Sequence, residues 1–473
     1  MKYMACLVML LTVFAACSPD SDASDPGSIT NKTYTLHFNL SPVSGISASS
    51  RAETYTAGSP NTWEDGSKEE NMKSWTVVFV KSDGTVAKVV KQPSVAEGKD
   101  MEDDVTVTGL EAGTTYTVYS FANISDAELG TITEGSPSPD FDSKSFAVNG
   151  NDMDIKANGI PMSNKQEVTI GSDGQPNVKQ LYVVRMLSKI TLKFRNMTGQ
   201  DITVKNVSIS DITSNPATGT ENVKLLPVKP VSSANVPQAP NLVENAKRDD
   251  FTHAIGLTVT KDATDYDTDN SSVSFYVNES RAGNAYPYFV VTLETDFGSQ
   301  RYFMYTDWNQ IARNDHHVLK LALSDYKLRL KVEDFGSIGS APSLKDDGKQ
   351  LNLTFHYPGE EFHIIPSVTK YSDPTGAEVS FTDLKWTKLL EPEMDAETKA
   401  FSAIPKIVTG ENRIEAETLG ELGKKIGPII YQLSVKVNDA TDSPTLVYRV
   451  AISQDLTWYS ARRHNGAFWI CKQ

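Results

Sequence analysis

Two-residue alternation of apolar and polar side chains is the feature that most constrains the fold of this 473-residue chain. Trp75 to Val80 alternates, stops at Lys81-Ser82-Asp83-Gly84, and resumes as Thr85 to Val90, which predicts a hairpin with Asp-Gly in its turn. Further strands are predicted at Tyr34 to Leu40, Val105 to Val107, Thr115 to Phe121, Val183 to Phe194, Ile202 to Ile209, Val273 to Val277, Tyr288 to Thr295, Arg301 to Tyr305, His317 to Leu323 and Leu446 to Ile452. The one helical candidate, Glu415 to Lys425, contains two glycines, which weaken a helix.

This spacing of strands predicts the fold class. Strands that recur about every 8 to 12 residues, with Gly, Asn and Asp between them, are typical of antiparallel sandwiches. The chain is too long for one hydrophobic core. We therefore expect an all-β protein of tandem transthyretin-like or immunoglobulin-like β-sandwiches at residues 31–180 and 181–326, followed by a β-rich domain at residues 327–473. Residues 335–342, rich in Gly and Ser and ending in Pro, form the best linker candidate.

The amino terminus predicts export and lipidation. Met1 and Lys2 precede the apolar run Met4 to Ala16, which is shorter than the roughly 20 residues of a membrane span. The small residues before Cys17 resemble the lipobox of bacterial lipoproteins, with Phe14 where Leu is usual. We expect residues 1–17 to be a lipoprotein signal peptide and Cys17 to carry lipid (palmitate) in the outer membrane. An ordinary secretory signal or an uncleaved anchor is the alternative.

Residues 18–30 form a polar, acidic tether that cannot build a core. Acidic residues directly after a lipidated cysteine resemble the surface-export tag of Bacteroidota lipoproteins, and a plain solvated linker is the alternative. With Cys6 removed and Cys17 modified, Cys471 is the only thiol left, which excludes an intramolecular disulfide. The net charge of -15 argues against nucleic acid as a partner.

Catalytic and metal motifs are weak. The sequence has no G-x-S-x-G elbow with suitable partners, no P-loop and no H-E-x-x-H. Adjacent side chains on a strand point to opposite faces, which suits neither His316-His317 as a metal site nor Glu360-Glu361 as an acid–base pair. Asp265 to Asn270 imitates the start of a calcium loop but has Asn270 where Gly is needed. We expect no enzyme activity, no metal and no cofactor.

A series of short motifs, each weak alone, occurs in an order that resembles one family. They are Ser50-Arg51-Ala52, Glu70-Asn71, Tyr119 to Asn123, Ile160 to Ser163, Val184-Arg185, Lys189-Ile190 and Ala312 to Asn314. Together with the lipoprotein signal and the early strand, they make residues 1–326 similar to the fimbrillins, the subunits of the type V pili of Bacteroidota.

The resemblance implies a way of assembly. In this family the first strand fills a groove, a trypsin-like protease cuts after an arginine in the next loop, and a strand of another subunit takes the vacated place. Arg51, before Ala52, matches the processing position. In the first strand the alternation places four side chains in the groove: Tyr34, Leu36, Phe38 and Leu40. Other pilus subunits and the maturation protease are the implied partners, and the implied location is a fimbrium on the outer membrane.

Two questions stay open from the sequence. A surface lipoprotein of tandem β-sandwiches that binds glycan without polymerising is the alternative to a pilus subunit. Residues 327–473 favour a tip or accessory subunit over a stalk subunit. Trp458, Tyr459 and Trp469 are candidate contacts to a glycan or protein receptor, although aromatic residues near a chain end commonly close their own core.

Overall fold

The computed structural model describes most of the chain from Thr33 onward. The described ranges are 33–43, 46–47, 70–96, 99, 101–148, 158–214, 222–232, 238–244, 246–283, 288–304, 306, 309–334, 343–346, 350–356, 361–390, 406–408, 410–417, 425–438, 444–455, 459–464 and 467–472. The signal peptide, Cys17, the acidic tether, Arg51, Ala52, Glu360, Trp458 and the linker candidate 335–342 lie outside these ranges. The protein is all-β, as expected.

The first unit is built on a seven-stranded sheet with the order β4-β3-β6-β8-β9-β1-β5. Its elements are β1 (Thr33–Pro42), β2 (Ile46–Ser47), β3 (Trp75–Val80), β4 (Val86–Gln92), β5 (Asp103–Glu111), β6 (Thr115–Ala122), helix α1 (Asp126–Leu129), β7 (Ser145–Phe146), β8 (Met162–Thr169) and β9 (Gln180–Arg185). β4 and β5, at the two ends of this order, contact each other, so the sheet curls around its core. The predicted β3–β4 hairpin is confirmed: Gly84 has φ +84 and the Asp83 carboxylate accepts from the Thr85 amide at 2.9 Å.

The second unit is a sandwich of two four-stranded sheets, β14-β10-β19-β2 and β13-β11-β16-β17. Its strands are β10 (Leu187–Asn196), β11 (Ile202–Thr213), β12 (Val223–Lys224), β13 (Arg248–Val259), β14 (Ser272–Asn278), β15 (Ser280–Arg281), β16 (Phe289–Thr295), β17 (Gly298–Met304), β18 (Gln310–Ile311) and β19 (Asp315–Leu323). One apolar cluster that includes Phe194, Phe289 and Leu293 lies between the sheets.

The third unit is a second sandwich, of two five-stranded sheets around its own core. Its strands are β20 (Tyr326–Asp334), β21 (Ser343–Asp346), β22 (Leu351–Phe355), β23 (Glu361–Lys370), β24 (Glu378–Val379), β25 (Phe381–Leu390), β26 (Lys406–Val408), β27 (Arg413–Glu417), β28 (Lys425–Val437) and β29 (Thr445–Asp455). One sheet has the order β20-β23-β27-β26 with β24 on β23, and the other β21-β22-β29-β28-β25. A terminal hairpin pairs β30 (Tyr459–His464) with β31 (Ala467–Lys472).

Two sequence predictions are corrected here. Val183 to Phe194 is not one strand, because the chain changes sheets at Met186: β9 belongs to the first sheet and β10 to the second unit. The helical candidate is wrong, because Glu415 lies in β27 and Lys425 begins β28. Among the described residues, no helix has the length and apolar character that a membrane crossing requires.

Candidate functional site

The candidate site is the place of β1 in the first sheet, which we call the first-strand groove; its walls are β5 and β9. β1 runs antiparallel to β5, from Thr33 opposite Glu111 to Leu40 opposite Asp103. Its second half runs parallel to β9, with Asn39 opposite Gln180 and Pro42 opposite Val183. β1 is therefore an internal strand, although it is the first in the chain.

The side chains of β1 alternate as the sequence predicts. Leu36, Phe38 and Leu40 are buried in the core of the first unit, and Thr35, His37 and Asn39 are exposed. The Phe38 ring lies 5.7 Å from the Phe79 ring, centroid to centroid. Three such side chains contribute on the order of 5–9 kcal/mol, an upper estimate because unfolded chains are partly compact. Apolar burial therefore holds β1 in the groove.

Tyr34 occupies a different position from the other three. It is half-buried, and its ring covers Gly174, which has φ +78. A Cβ atom on Gly174 would lie 2.3 Å from Cε1 of Tyr34. The glycine is needed both for its backbone conformation and for the close approach of the ring. Tyr34 thus closes the outer end of the groove.

Removal of β1 would leave two unpaired edges that face each other. In the sheet order β1 is the neighbour of both β9 and β5. Asn39 donates its amide to Lys179 O at 2.9 Å, and this carbonyl would lose its partner with the strand. An open edge with alternating apolar pockets favours the addition of another strand.

The chain after β1 is anchored in the junction between the first and second units. Val43 is buried against Val184 and Val231, and its amide donates to Val183 O at 2.8 Å. Arg185 Nη1 donates to the Val43 carbonyl at 3.0 Å. Farther on, β2 pairs with the start of β19 in the second unit. The first segment of the chain therefore spans two units.

Arg185 is the centre of this junction and is 1% exposed. Its Nε and Nη2 donate to the Glu70 carbonyl at 3.1 and 2.9 Å, and Nη1 also donates to Oδ1 of Asn314 at 3.3 Å. Burial lowers the pKa of the guanidinium to about 10, although the Glu70 carboxylate and Tyr276 oppose this change. A buried cation of this kind is stable only while its donors are satisfied.

Further buried polar groups surround Arg185. Together they form what we call the junction network, which consists of Glu70, Arg185, Lys189, Tyr276, Glu279, Arg313 and Asn314. The Glu70 carboxylate accepts from Lys189 Nζ at 2.8 Å and from the Tyr276 hydroxyl at 2.6 Å. Arg313 Nη2 lies 2.5 Å from Oε1 of Glu279, and both side chains are fully buried. Arg313 also donates to the carbonyls of the two residues 224 and 225. These contacts join segments that are far apart in the sequence.

Asn123 shows how one motif residue organises the same region. It adopts φ 56, in the left-handed region that asparagine tolerates. Its Nδ2 donates to Asn71 O and Ile160 O, both at 2.9 Å, and its Oδ1 accepts from the Lys73 amide at 2.7 Å. The Asn123 side chain therefore joins segments that lie 37 to 52 positions away in the sequence.

The histidine pair lies beside the junction network. Both rings are buried. His316 Nε2 lies 2.9 Å from Oγ1 of Thr191. Burial lowers the pKa of His316 to about 4, with Lys189 and His317 adding to the decrease and Glu70 opposing it. His316 is therefore neutral at pH 7.

A second group of ionisable residues lies in the third unit. Glu361, His363 and Glu415 have possible ligand atoms within 4.8 Å of one another. Glu361 is exposed at the start of β23. The guanidinium of Arg413 already contacts Oε1 of Glu415, at 3.0 Å from Nε and 2.5 Å from Nη2. A cation on the same carboxylate oxygen disfavours a metal ion there.

The other residues predicted for function are placed only in part. Cys17, Arg51, Ala52 and Trp458 lie outside the described residues. Tyr459 is in β30 and Trp469 in β31, where Trp469 pairs with Arg462, but their side chains are outside the described part of the structure. In the calcium-like loop, Asp267 binds Lys193 Nζ at 2.6 Å. The structure therefore brings the first strand and the described motifs close together. The role of the three receptor candidates stays a prediction.

The fold and the groove define a multi-unit β-sandwich protein whose first strand is an internal part of the first sheet. Residues 35–225 match the family model described as "Major fimbrial subunit protein (FimA)". This match confirms the resemblance to the fimbrillins, which is a family of fimbrial subunits and not of enzymes. It covers the first unit from β1 onward and the start of the second. No curated protein matches the chain.

Several solved structures are similar at a distance. A putative cell adhesion protein from Parabacteroides distasonis has 13% identity and a TM-score of 0.34, with 63% of this chain and 87% of that chain covered. A fimbrial assembly protein from the same organism has 11% identity and a TM-score of 0.32, covering 61% and 91%. The C-terminally truncated tip fimbrial protein Mfa3 from Porphyromonas gingivalis has 13% identity and a TM-score of 0.33, covering 71% and 100%.

Proposed function

We propose that this protein is a structural and adhesive subunit of a cell-surface fimbrium that polymerises by exchange of its first strand. It is exported as an outer-membrane lipoprotein through Cys17, cut after Arg51 by a trypsin-like protease, and joined by a strand of another subunit. The observation that carries the proposal is the place of β1: an internal strand, first in the chain, held by three buried side chains between β5 and β9.

The position of Arg51 in the sequence, after all the contacts made by β1, Val43 and β2, supports this proposal. β2 ends at Ser47, before Arg51 in the sequence. A cut after Arg51 therefore separates β1, Val43 and β2 from the rest of the chain together. Their departure would leave Arg185 with one carbonyl acceptor fewer in a buried place. A donor strand that supplies both apolar side chains and a carbonyl would restore these interactions.

The third unit supports a tip or accessory position. By family resemblance, a stalk subunit donates a strand from its carboxyl end. Here the carboxyl end contains β29 and the terminal hairpin β30–β31, and β29 is the central strand of its sheet, paired with β22 on one side and β28 on the other. Val450 and Ile452 of β29 are fully buried, so donation of this strand would open the core of the third unit. A subunit that accepts a strand and keeps β29 in its own core fits the end of a fibre.

Controlled proteolysis tests the assembly. Trypsin treatment of the purified precursor is expected to give a folded product that begins at Ala52 and forms polymers visible by electron microscopy. Arg51→Ala should stay full length and monomeric, whereas the matched variant Arg51→Lys keeps a tryptic site and should still be cut and polymerise. A cut product that stays monomeric at high concentration would support the alternative, a non-polymerising glycan-binding lipoprotein.

Two cell experiments test the anchor and the position. Metabolic labelling with a fatty acid should label the wild type and not Cys17→Ala; equal labelling would contradict lipidation. Immunogold labelling of the third unit should mark one end of each fibre. Labelling along the whole fibre would show a stalk subunit instead.

A further inference from the structure

Apart from the first-strand groove, the molecule has a cleft between the second and third units, which we call the interunit cleft. It has a volume of about 1270 Å³. One wall is β17 of the second unit, and the other contains residues 326–330 of β20 and 445–449 of β29. Pockets for single small molecules usually measure about 300–1,000 Å³. The interunit cleft is therefore large enough for a chain of several ligand units.

Contacts across the cleft fix its width. The Tyr371 hydroxyl of the third unit donates to Ser299 O of β17 at 2.8 Å. Arg301 of β17 contacts both carboxylate oxygens of Asp346, at 3.2 and 3.4 Å, and the Tyr448 hydroxyl donates to the same carboxylate at 2.7 Å. An apolar contact that includes the buried side chains of Tyr288 and Ile430 joins the same two units. The cleft is thus formed before a ligand arrives.

The charge of the lining is unlike that of the whole protein. The chain carries a net charge of -15, yet among the described residues six basic side chains and one carboxylate line the cleft. The basic residues are Arg195, Arg301, Lys327, Arg329, Lys385 and Arg449. The carboxylate, Asp346, is already engaged by Arg301 and Tyr448.

Apart from Arg301, which is engaged by Asp346, three of the basic residues are exposed: Lys327, Arg329 and Lys385. Among the described residues, none of the three has a carboxylate within 4.0 Å. Lys327 Nζ lies 5.6 Å from the Tyr371 ring centroid. Arg329 is near enough to Tyr371 to oppose the rise in the pKa of its phenol, whose main cause is burial. Positive charge therefore accumulates beside an aromatic ring at the mouth of the cleft.

We propose that the interunit cleft binds an acidic oligosaccharide, one whose sugar rings carry carboxylate or sulfate groups. Lys327 and Arg329 would bind the anionic groups, because charge-assisted hydrogen bonds are the strong ones. Half-buried tyrosines, Tyr302, Tyr326 and Tyr371, present apolar ring surface with a polar hydroxyl, which suits sugar rings with their mixed surface. The size of the cleft selects an oligomer over a single sugar.

An acidic peptide is the competing ligand of the same charge. A peptide would bind most strongly as a strand added to the open edge of β17 or β20, since both are edge strands. On β17, however, Ser299 O accepts from Tyr371 and Gly298 O accepts from Oγ1 of Thr295 at 2.9 Å. The start of that edge is thus occupied by side chains, and the observations favour the saccharide.

Binding measurements with defined probes test the proposal on the full mature chain. The probes are a heparin-derived hexasaccharide for sulfate, a hexagalacturonide for carboxylate, maltohexaose as the neutral sugar and hexaglutamate as the acidic peptide. We expect one or both acidic saccharides to bind, more weakly as salt rises, with no binding of maltohexaose. The two acidic probes show which anionic group is preferred.

Substitutions at the cleft mouth locate the site. The double variant Lys327→Gln/Arg329→Gln should bind about ten-fold or more weakly, which corresponds to about 1.4 kcal/mol. The matched control Lys179→Gln/Lys261→Gln removes two exposed charges outside the cleft and should bind as the wild type does. Both double variants should keep the wild-type melting temperature. Absence of binding, equal loss in the control, or equally tight binding of hexaglutamate would overturn the proposal.

Discussion

Truncation of one side chain in β1 tests whether apolar burial holds the first strand in its groove. Phe38 is 1% exposed and packs against Phe79. Phe38→Ala should cost about 3–5 kcal/mol of local stability, because a buried Phe→Ala change loses the transfer free energy and leaves a cavity. Typical single domains are stable by only about 5–15 kcal/mol. Hydrogen exchange of the β5 and β9 amides, read by mass spectrometry, reports this local free energy.

The matched control is Asn39→Ala, the next residue in β1, which points outward and should change local stability by less than about 1 kcal/mol. In the processed protein, Phe38→Ala should also release the first strand to a competing strand peptide about a hundred-fold faster or more, since affinity losses appear mainly in dissociation. If the β5 and β9 amides exchange equally fast in Phe38→Ala and in Asn39→Ala, burial of Phe38 does not hold the strand and the reasoning fails.

Three further predictions concern the surroundings of the groove. Arg185→Met should lower the free energy of unfolding by about 3 kcal/mol in urea denaturation, because it leaves buried carbonyls without donors; a loss below about 1 kcal/mol would contradict this role. Gly174→Ala should lower the melting temperature more than Gly84→Ala does, because both residues have positive φ but only Gly174 lies against the Tyr34 ring. His316 has a folded pKa of about 4, below the ordinary 6.5, so the unfolded chain binds its proton first and stability is lost as pH falls from about 6.5 to about 4. His316→Gln should flatten urea stability over this range by up to about 3 kcal/mol, and an unchanged pH profile would count against the buried neutral ring.

The strands that the sequence predicts well are those rich in buried apolar side chains: β1 buries one face, and all of β3 is buried. β1 and β3 carry apolar side chains at the expected positions, and the β3–β4 turn follows from Asp83-Gly84. The prediction of strands from the sequence failed where no local residue marks a break or an alternating pattern. At Met186 the chain leaves one sheet for another without a glycine or proline, so Val183 to Phe194 has the pattern of a single strand. β13 was missed because its side chains are mostly exposed on an edge strand.

The helical error at Glu415 to Lys425 has a similar cause. Local propensity favoured a helix, but tertiary pairing decides: β27 pairs with β23, and β28 pairs with β25 and β29. Pairings of this kind join residues tens of positions apart and leave no local mark. The interunit cleft was not predicted from the sequence for the same reason, because its basic residues come from five separate strands.

Several of the short motifs that carry the family resemblance, among those that the structure describes, lie at the junction and not in the groove. Glu70, Arg185, Lys189 and Asn314 meet in one buried network, although Glu70 and Arg185 are 115 positions apart in the sequence. Buried charges require particular partners at particular places, so such a network can be recognised as short fixed motifs. The first-strand groove requires only apolar side chains at every second position and free backbone groups, and many sequences satisfy this. This difference suits the proposed strand exchange. A groove that requires only alternating apolar side chains can accept strands of unlike subunits, while the junction network keeps the walls of the groove in place. Arg185 connects the two, since it belongs to the network and holds the carbonyl of Val43 at the end of the first strand.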